Sequence, residues 1–154
     1  SYDKGKKYIE PTFANAGPIS RNCLGAPGSI PAGTTTSIES IFTLNGTDLR
    51  CNDQPIAQNV AAFQVRYLLQ GTDQDDPTML YTNRDGVADW NRVQGVEVCL
   101  VLFGTERIDL PEGASYTGCD GSTAVNITTL AAPRTNRMHY VFRNVFQLRS
   151  QGLI

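Results

Sequence analysis

A single histidine, His139, serves a chain of 154 residues. Nucleophilic catalysis of the Ser-His-Asp or Cys-His kind sets a histidine in a pocket beside a nucleophile and an orienting carboxylate. No such set is readable around His139, which falls on the charged side of a predicted terminal strand, so we expect a surface or half-buried structural residue. One histidine also leaves the chain short of the usual ligands for zinc or a redox metal. Neither the phosphate-cradling P-loop pattern nor GxGxxG occurs, and no cofactor or small-molecule substrate is expected. Long apolar runs are missing too: the longest, Val98 to Phe103, has six residues, whereas a membrane-crossing helix needs about 20. Charge is nearly balanced, with 13 Lys and Arg against 15 Asp and Glu and a net charge of -2. That balance argues against a general nucleic-acid binder or a binder of anionic membranes.

What is present suits one folded domain. Some 40% of residues are apolar and 18% charged, enough to build a core and keep it soluble. Four cysteines, Cys23, Cys51, Cys99 and Cys119, are an even number, and none forms a Cys-x-x-Cys pair. Two disulfides account for them best, which implies an oxidising compartment, periplasm or cell exterior. Three pairings are possible. We favour Cys23 with Cys51 and Cys99 with Cys119, because each pair encloses a loop rich in Gly, Pro, Ser and Thr. Closing a loop of 20 to 30 residues contributes about 3 kcal/mol in the chain-entropy description.

Hydrophobic periodicity places the strands. Tyr8, Ile9, Phe13 and Ala16 fall near helical spacing and predict a short helix over Lys6 to Ala16, ended by Gly17-Pro18. Ser20 to Thr36 is dense in turn formers and reads as a disulfide-tied loop. Ser37 to Leu44 carries an imperfect strand pattern, Asn45-Gly46 is a hairpin signal, and Thr47 to Cys51 is the returning strand. In Ala61 to Leu69, the row Phe63, Val65, Tyr67 and Leu69 alternates with Ala62, Gln64, Arg66 and Leu68, as in a strand with one wet face. Val93 to Phe103 carries Val96, Val98, Leu100 and Leu102 on one side and Glu97, Cys99, Val101 and Phe103 on the other, and is expected to be buried on both faces toward its end. Arg137 to Arg149 reads as a long amphipathic strand, with Met138, Tyr140, Phe142, Phe146 and Leu148 opposite His139, Arg143, Gln147 and Arg149. Gly71 to Asp89 and Gly104 to Pro133 read as loops with at most short strands. The links lack long crossover helices, so the expected fold is α+β, β-dominated, with mostly antiparallel sheets.

Carboxylates are the remaining chemistry. Asp73, Asp75 and Asp76 in GTDQDD, with Asp85 and Asp89 in NRDGVAD, supply oxygens at alternate positions as calcium loops do. The match is weak, because Pro77 interrupts the first run, no Glu follows at the EF-hand distance, and Asp favours turns in any case. A paired-carboxylate glycosidase is disfavoured for want of cleft aromatics beside the acids. Asn45-Gly46-Thr47 and Asn126-Ile127-Thr128 match the glycosylation triplet, which matters only in a eukaryotic secretory chain.

Three segments follow one another in the second half. VAAFQVRYLL, starting at Val60, leads into the acidic loop GTDQDD; DWNRVQGVEVCLVL sets Trp90 just before a strand; RMHYVFRNVFQLRS closes the chain on an Arg-rich aromatic strand. Together they resemble the end of a PilW-type minor pilin of the type IV pilus system, and Ala16-Gly17 followed by Cys23 is similar to that family's end of the first helix. The start differs: Ser1-Tyr2-Asp3-Lys4-Gly5 is unlike the long apolar helix with which a pilin begins, so the chain is read as a head domain lacking that helix. The resemblance implies one pilin-like head over residues 1–154, made of a helix remnant (1–19), a disulfide-tied loop and hairpin (20–59) and a β-rich part (60–154). It further implies a non-enzymatic role in initiating pilus assembly, within a minor-pilin priming complex at the tip similar to the J pseudopilin of type II secretion. Expected partners are other minor pilins, the major pilin, and the inner membrane through the missing helix. Expected locations are the periplasmic face of that membrane and then the pilus tip. A secreted β-rich binding module, an adhesin or a carbohydrate or calcium binder, is the alternative.

Overall fold

In a computed structural model, residues 8–9, 21–25, 39–71 and 78–148 are described. The chain divides into two compact units, Ser1–Val60 and Ala61–Ile154. Every strand pair with a defined register is antiparallel, as expected of a chain without long crossover helices.

In the first unit, β1 (Tyr8–Ile9) pairs with β2 (Glu39–Ser40). The helix expected over Lys6 to Ala16 lies outside the described residues except for Tyr8 and Ile9, and those two are extended and paired. A three-stranded meander follows: β3 (Phe42–Asn45), β4 (Asp48–Cys51) and β5 (Gln54–Ala57). The hairpin sits one residue later than Asn45-Gly46 suggests. Asn45 pairs with Asp48, and Gly46 takes the positive φ (61°) at the first loop position, where a two-residue loop prefers glycine. The third strand was not foreseen. Its signal is Asn52-Asp53, both at positive φ (44° and 64°), the conformation of a tight primed turn. Pro55 is tolerated because β5 is an edge strand. Cys23 is bonded to Cys51, with Cα atoms 6.1 Å apart, and the Cys23 N–H donates to the buried Ser40 hydroxyl at 3.0 Å.

The second unit is built on a four-stranded sheet in the order β11-β8-β6-β7: β6 (Val60–Gln70), β7 (Met79–Thr82), β8 (Val93–Phe103) and β11 (His139–Gln147). A small hairpin, β9 (Ser115–Thr117) and β10 (Ala124–Asn126), accompanies it, and among the described residues the two long links hold only short strands and 3-10 turns. Cys99 is bonded to Cys119, with Cα atoms 5.8 Å apart, which ties the hairpin region to β8. The buried cluster is Ala61, Ala62, Cys99, Val101, Phe103 and Cys119, with Tyr116 packed on it.

Candidate functional site

The sheet of the second unit has two unlike faces, and β8 defines both. Its odd-numbered residues Glu97, Cys99, Val101 and Phe103 are buried, while Val96, Val98, Leu100 and Leu102 are half-buried. Both rows are apolar enough to form a core, so the expected burial of both is only half realised. One face is covered, and the other stays open.

On the covered face, Glu97 is 4% exposed and yet ionisable. Its Oε1 accepts from Arg66 Nε (2.8 Å) and Nη2 (2.6 Å), and Arg143 Nε lies 3.8 Å away. These contacts place Arg66 on the covered face, with its guanidinium 4.9 Å over the Tyr81 ring and with Leu68 buried two residues on. The face of β6 expected to be wet is therefore covered at Arg66 and Leu68, because Glu97 satisfies the cation that the pattern assigned to water. Arg143 Nη2 also donates to the Cys119 carbonyl at 2.8 Å, a contact that anchors the loop after β9 on the strand.

His139 is 8% exposed, more deeply buried than its place on a charged strand face suggests. Tyr116 stacks on its ring at 4.7 Å with the planes 5° apart, and Phe103 lies 5.9 Å away. Nδ1 lies 2.8 Å from the Arg137 carbonyl, so it carries the proton and donates it, while Nε2 is buried without a hydrogen-bond partner. Burial, aided by the Arg134 charge, pushes its pKa below the usual histidine value, although the bond to Arg137 works against the shift. This is a neutral histidine in an aromatic stack, and its contacts are structural.

Of the acidic candidates, Asp85 and Asp89 lie among the described residues. Asp73, Asp75 and Asp76 lie outside the described residues. Asp85 sits in the first turn of the 3-10 segment Arg84–Gly86. Asp89 caps the next one, Trp90–Arg92, by accepting from the Asn91 N–H at 3.0 Å. Among the described residues no three or more His, Cys, Asp and Glu side chains gather as a metal site would need. Asp120, which sequence reading passed over, is held down to a pKa of about 2 by the Thr123 hydroxyl and by the Thr123 and Ser122 N–H groups, and it shapes the loop that carries Cys119.

The open face carries the exposed apolar surface. Register pairs Tyr140 with Leu102, Phe142 with Leu100 and Phe146 with Val96, so these side chains share one face. Tyr140, Phe142 and Phe146 are 53%, 55% and 54% exposed, and Leu148 continues the row. The expected amphipathicity of this strand is not realised as a buried apolar row: past the buried His139 both rows are exposed, and the aromatic one carries the largest apolar side chains. Phe63, Val65 and Leu69 of β6 lie half-buried on the same face, while Tyr67 is buried edge-on to Trp90 at 5.0 Å. A broad exposed apolar surface on a disulfide-braced sheet is suited to docking macromolecules.

A braced sheet that offers a broad apolar surface is the kind of surface by which subunits pack together. The family model described as Type IV Pilus-assembly protein W matches residues 32–150, and the chain belongs to that family, PilW. The match begins well before Val60, so it takes in about half of the first unit as well as the segments that carried the resemblance. No curated protein and no solved structure matches the chain. PilW is a pilus-assembly family, not an enzyme family, and its setting is consistent with a periplasmic or extracellular pilus location. Among the described residues no helix is long and apolar enough to cross a membrane.

Proposed function

We propose that this chain is the head of a minor pilin that helps start type IV pilus assembly, as part of a minor-pilin priming complex carried to the tip, in the manner of a J-type pseudopilin. The observation that carries the reading is the row Tyr140, Phe142 and Phe146, more than half exposed on a sheet held by the Cys99–Cys119 bond. Such a row costs solubility unless a neighbour covers it. Other minor pilins and the major pilin are the partners, with an N-terminal apolar helix holding the subunit in the inner membrane before extraction. Deletion of the gene should abolish or sharply reduce surface piliation. The wild-type gene should restore it, and a Phe142→Asp, Phe146→Asp gene should not, despite normal levels of the oxidised protein. Normal piliation in the deletion strain or with the double variant would refute the proposal.

The same aromatic row favours a second reading as a carbohydrate-binding platform, since exposed rings are what sugar stacking requires. Saturable binding on a glycan array, lost with Phe142→Asp, would select that reading.

A further inference from the structure

Among the described residues β11 is an edge strand of nine residues, and no strand pairs with the backbone along its outer side. The Gly104 N–H donates to Met138 O at 2.9 Å and the Leu148 N–H to Gln94 O at 3.0 Å, at the two ends of the β11–β8 ladder. Antiparallel hydrogen-bonded pairs alternate, so the even-numbered residues of β11 bond to β8 and the odd-numbered ones turn their N–H and C=O outward. Val141 and Arg143 thus present outward backbone groups. The Val145 N–H donates to Asn144 Oδ1 at 2.9 Å, a contact between exposed groups that rotation of one side chain releases. Such an edge pairs naturally with an extended backbone.

The chemistry beside the edge says which backbone. On the covered face, two guanidinium groups, Arg66 and Arg143, share the one carboxylate of Glu97, and the closer contact belongs to Arg66. Among the described residues that leaves one positive charge in excess on the Arg143 side, where the side chain is 34% exposed. Arg143 also lines a shallow hollow with Thr117, Gly118, Gly121 and Val141, directly next to the edge. On the open face stand Tyr140, Phe142 and Phe146. The stretch from Arg137 to Arg149 holds three Arg and no Asp or Glu, so a second copy of β11 would set positive charge against positive charge. We propose that the free edge of β11 takes up, by strand addition, an extended segment of a different chain, with a carboxylate side chain in the hollow at Arg143 and apolar side chains against the aromatic row.

The inference rests on the strand and its neighbours, not on the pilus role, and its test uses the isolated oxidised chain. The probe is the acetylated, amidated peptide Val-Thr-Val-Glu-Val-Thr-Val, titrated into labelled protein and followed by backbone NMR. The expected result is saturable shifts centred on Val141 and Arg143, with their amide exchange slowed. The peptide with Lys in place of Glu should bind at least about tenfold more weakly, because opposite charges favour and like charges oppose cross-strand pairing. N-methylation of alternate peptide amides on the pairing edge should abolish binding while the protein is unchanged. The proposal is overturned if millimolar peptide leaves those amides unshifted, if the Lys peptide binds equally well, or if sedimentation shows the chain alone to be a dimer paired through β11.

Discussion

Removing the Glu97 carboxylate tests how the covered face is held. Its Oε1 accepts two hydrogen bonds from Arg66 and lies 3.8 Å from Arg143 Nε. Truncating one member of a fully buried ion pair costs about 3–5 kcal/mol, chiefly because the partner charge is stranded. Here the side chains of Arg66 and Arg143 are 23% and 34% exposed, so water can reclaim part of each charge. We therefore expect Glu97→Ala to cost about 2 kcal/mol, and Glu97→Gln, which keeps an acceptor, about 1 kcal/mol. Arg66→Met combined with Glu97→Leu removes both charges and substitutes apolar volume, and should return to within about 1 kcal/mol of the wild type. Urea unfolding followed by the fluorescence of Trp90, the chain's one tryptophan, measures all three. With a slope of about 1 kcal/mol per molar urea for a unit of this size, Glu97→Ala should lower the midpoint by about 2 M. Loss of less than about 0.5 kcal/mol in Glu97→Ala, or a double variant as unstable as its two single changes summed, would refute the reasoning.

Further outcomes follow from the same contacts. Cys99→Ala with Cys119→Ala opens a link spanning 20 residues and should lower stability by about 3 kcal/mol, read as a urea midpoint shift under oxidising conditions. His139 has a folded pKa below its ordinary value of 6.5, so in the window between the two the unfolded chain binds more protons. Its contribution is therefore complete above about pH 6.5 and is lost as pH falls toward the depressed folded value. The urea midpoint should drop between pH 7.5 and pH 5 by more in the wild type than in His139→Phe; equal drops would contradict the buried neutral ring. Phe142→Asp should change stability by no more than about 1 kcal/mol, since its ring is more than half exposed on an edge strand, while reducing retention of full-length minor pilins in detergent pull-downs.

The period-2 rows placed β6 and β8 within a residue of their observed ends, because alternation along a strand is a local property of the chain. The enclosed turn-rich loops pointed to the cysteine partners that the structure brings together. The Asn52-Asp53 turn and the strand after it went unread, since Gln54–Ala57 has too little alternation to stand out. The exposed aromatic face was legible only as an apolar row, and its exposure was not.

Alternation in the sequence determined that β8 and β11 are strands and which side chains share a face. Tertiary structure alone decided which face is covered. In β8 both rows are rich in apolar residues, so local pattern gives no preference between them. The choice falls to what lies across the sheet: the Cys99–Cys119 bond, Tyr116 on His139 and the Arg66–Glu97 pair fix the cover on one side, and the aromatic row of β11 is left to the other. Burial is a relation between segments distant in the chain, and no window along the sequence contains both.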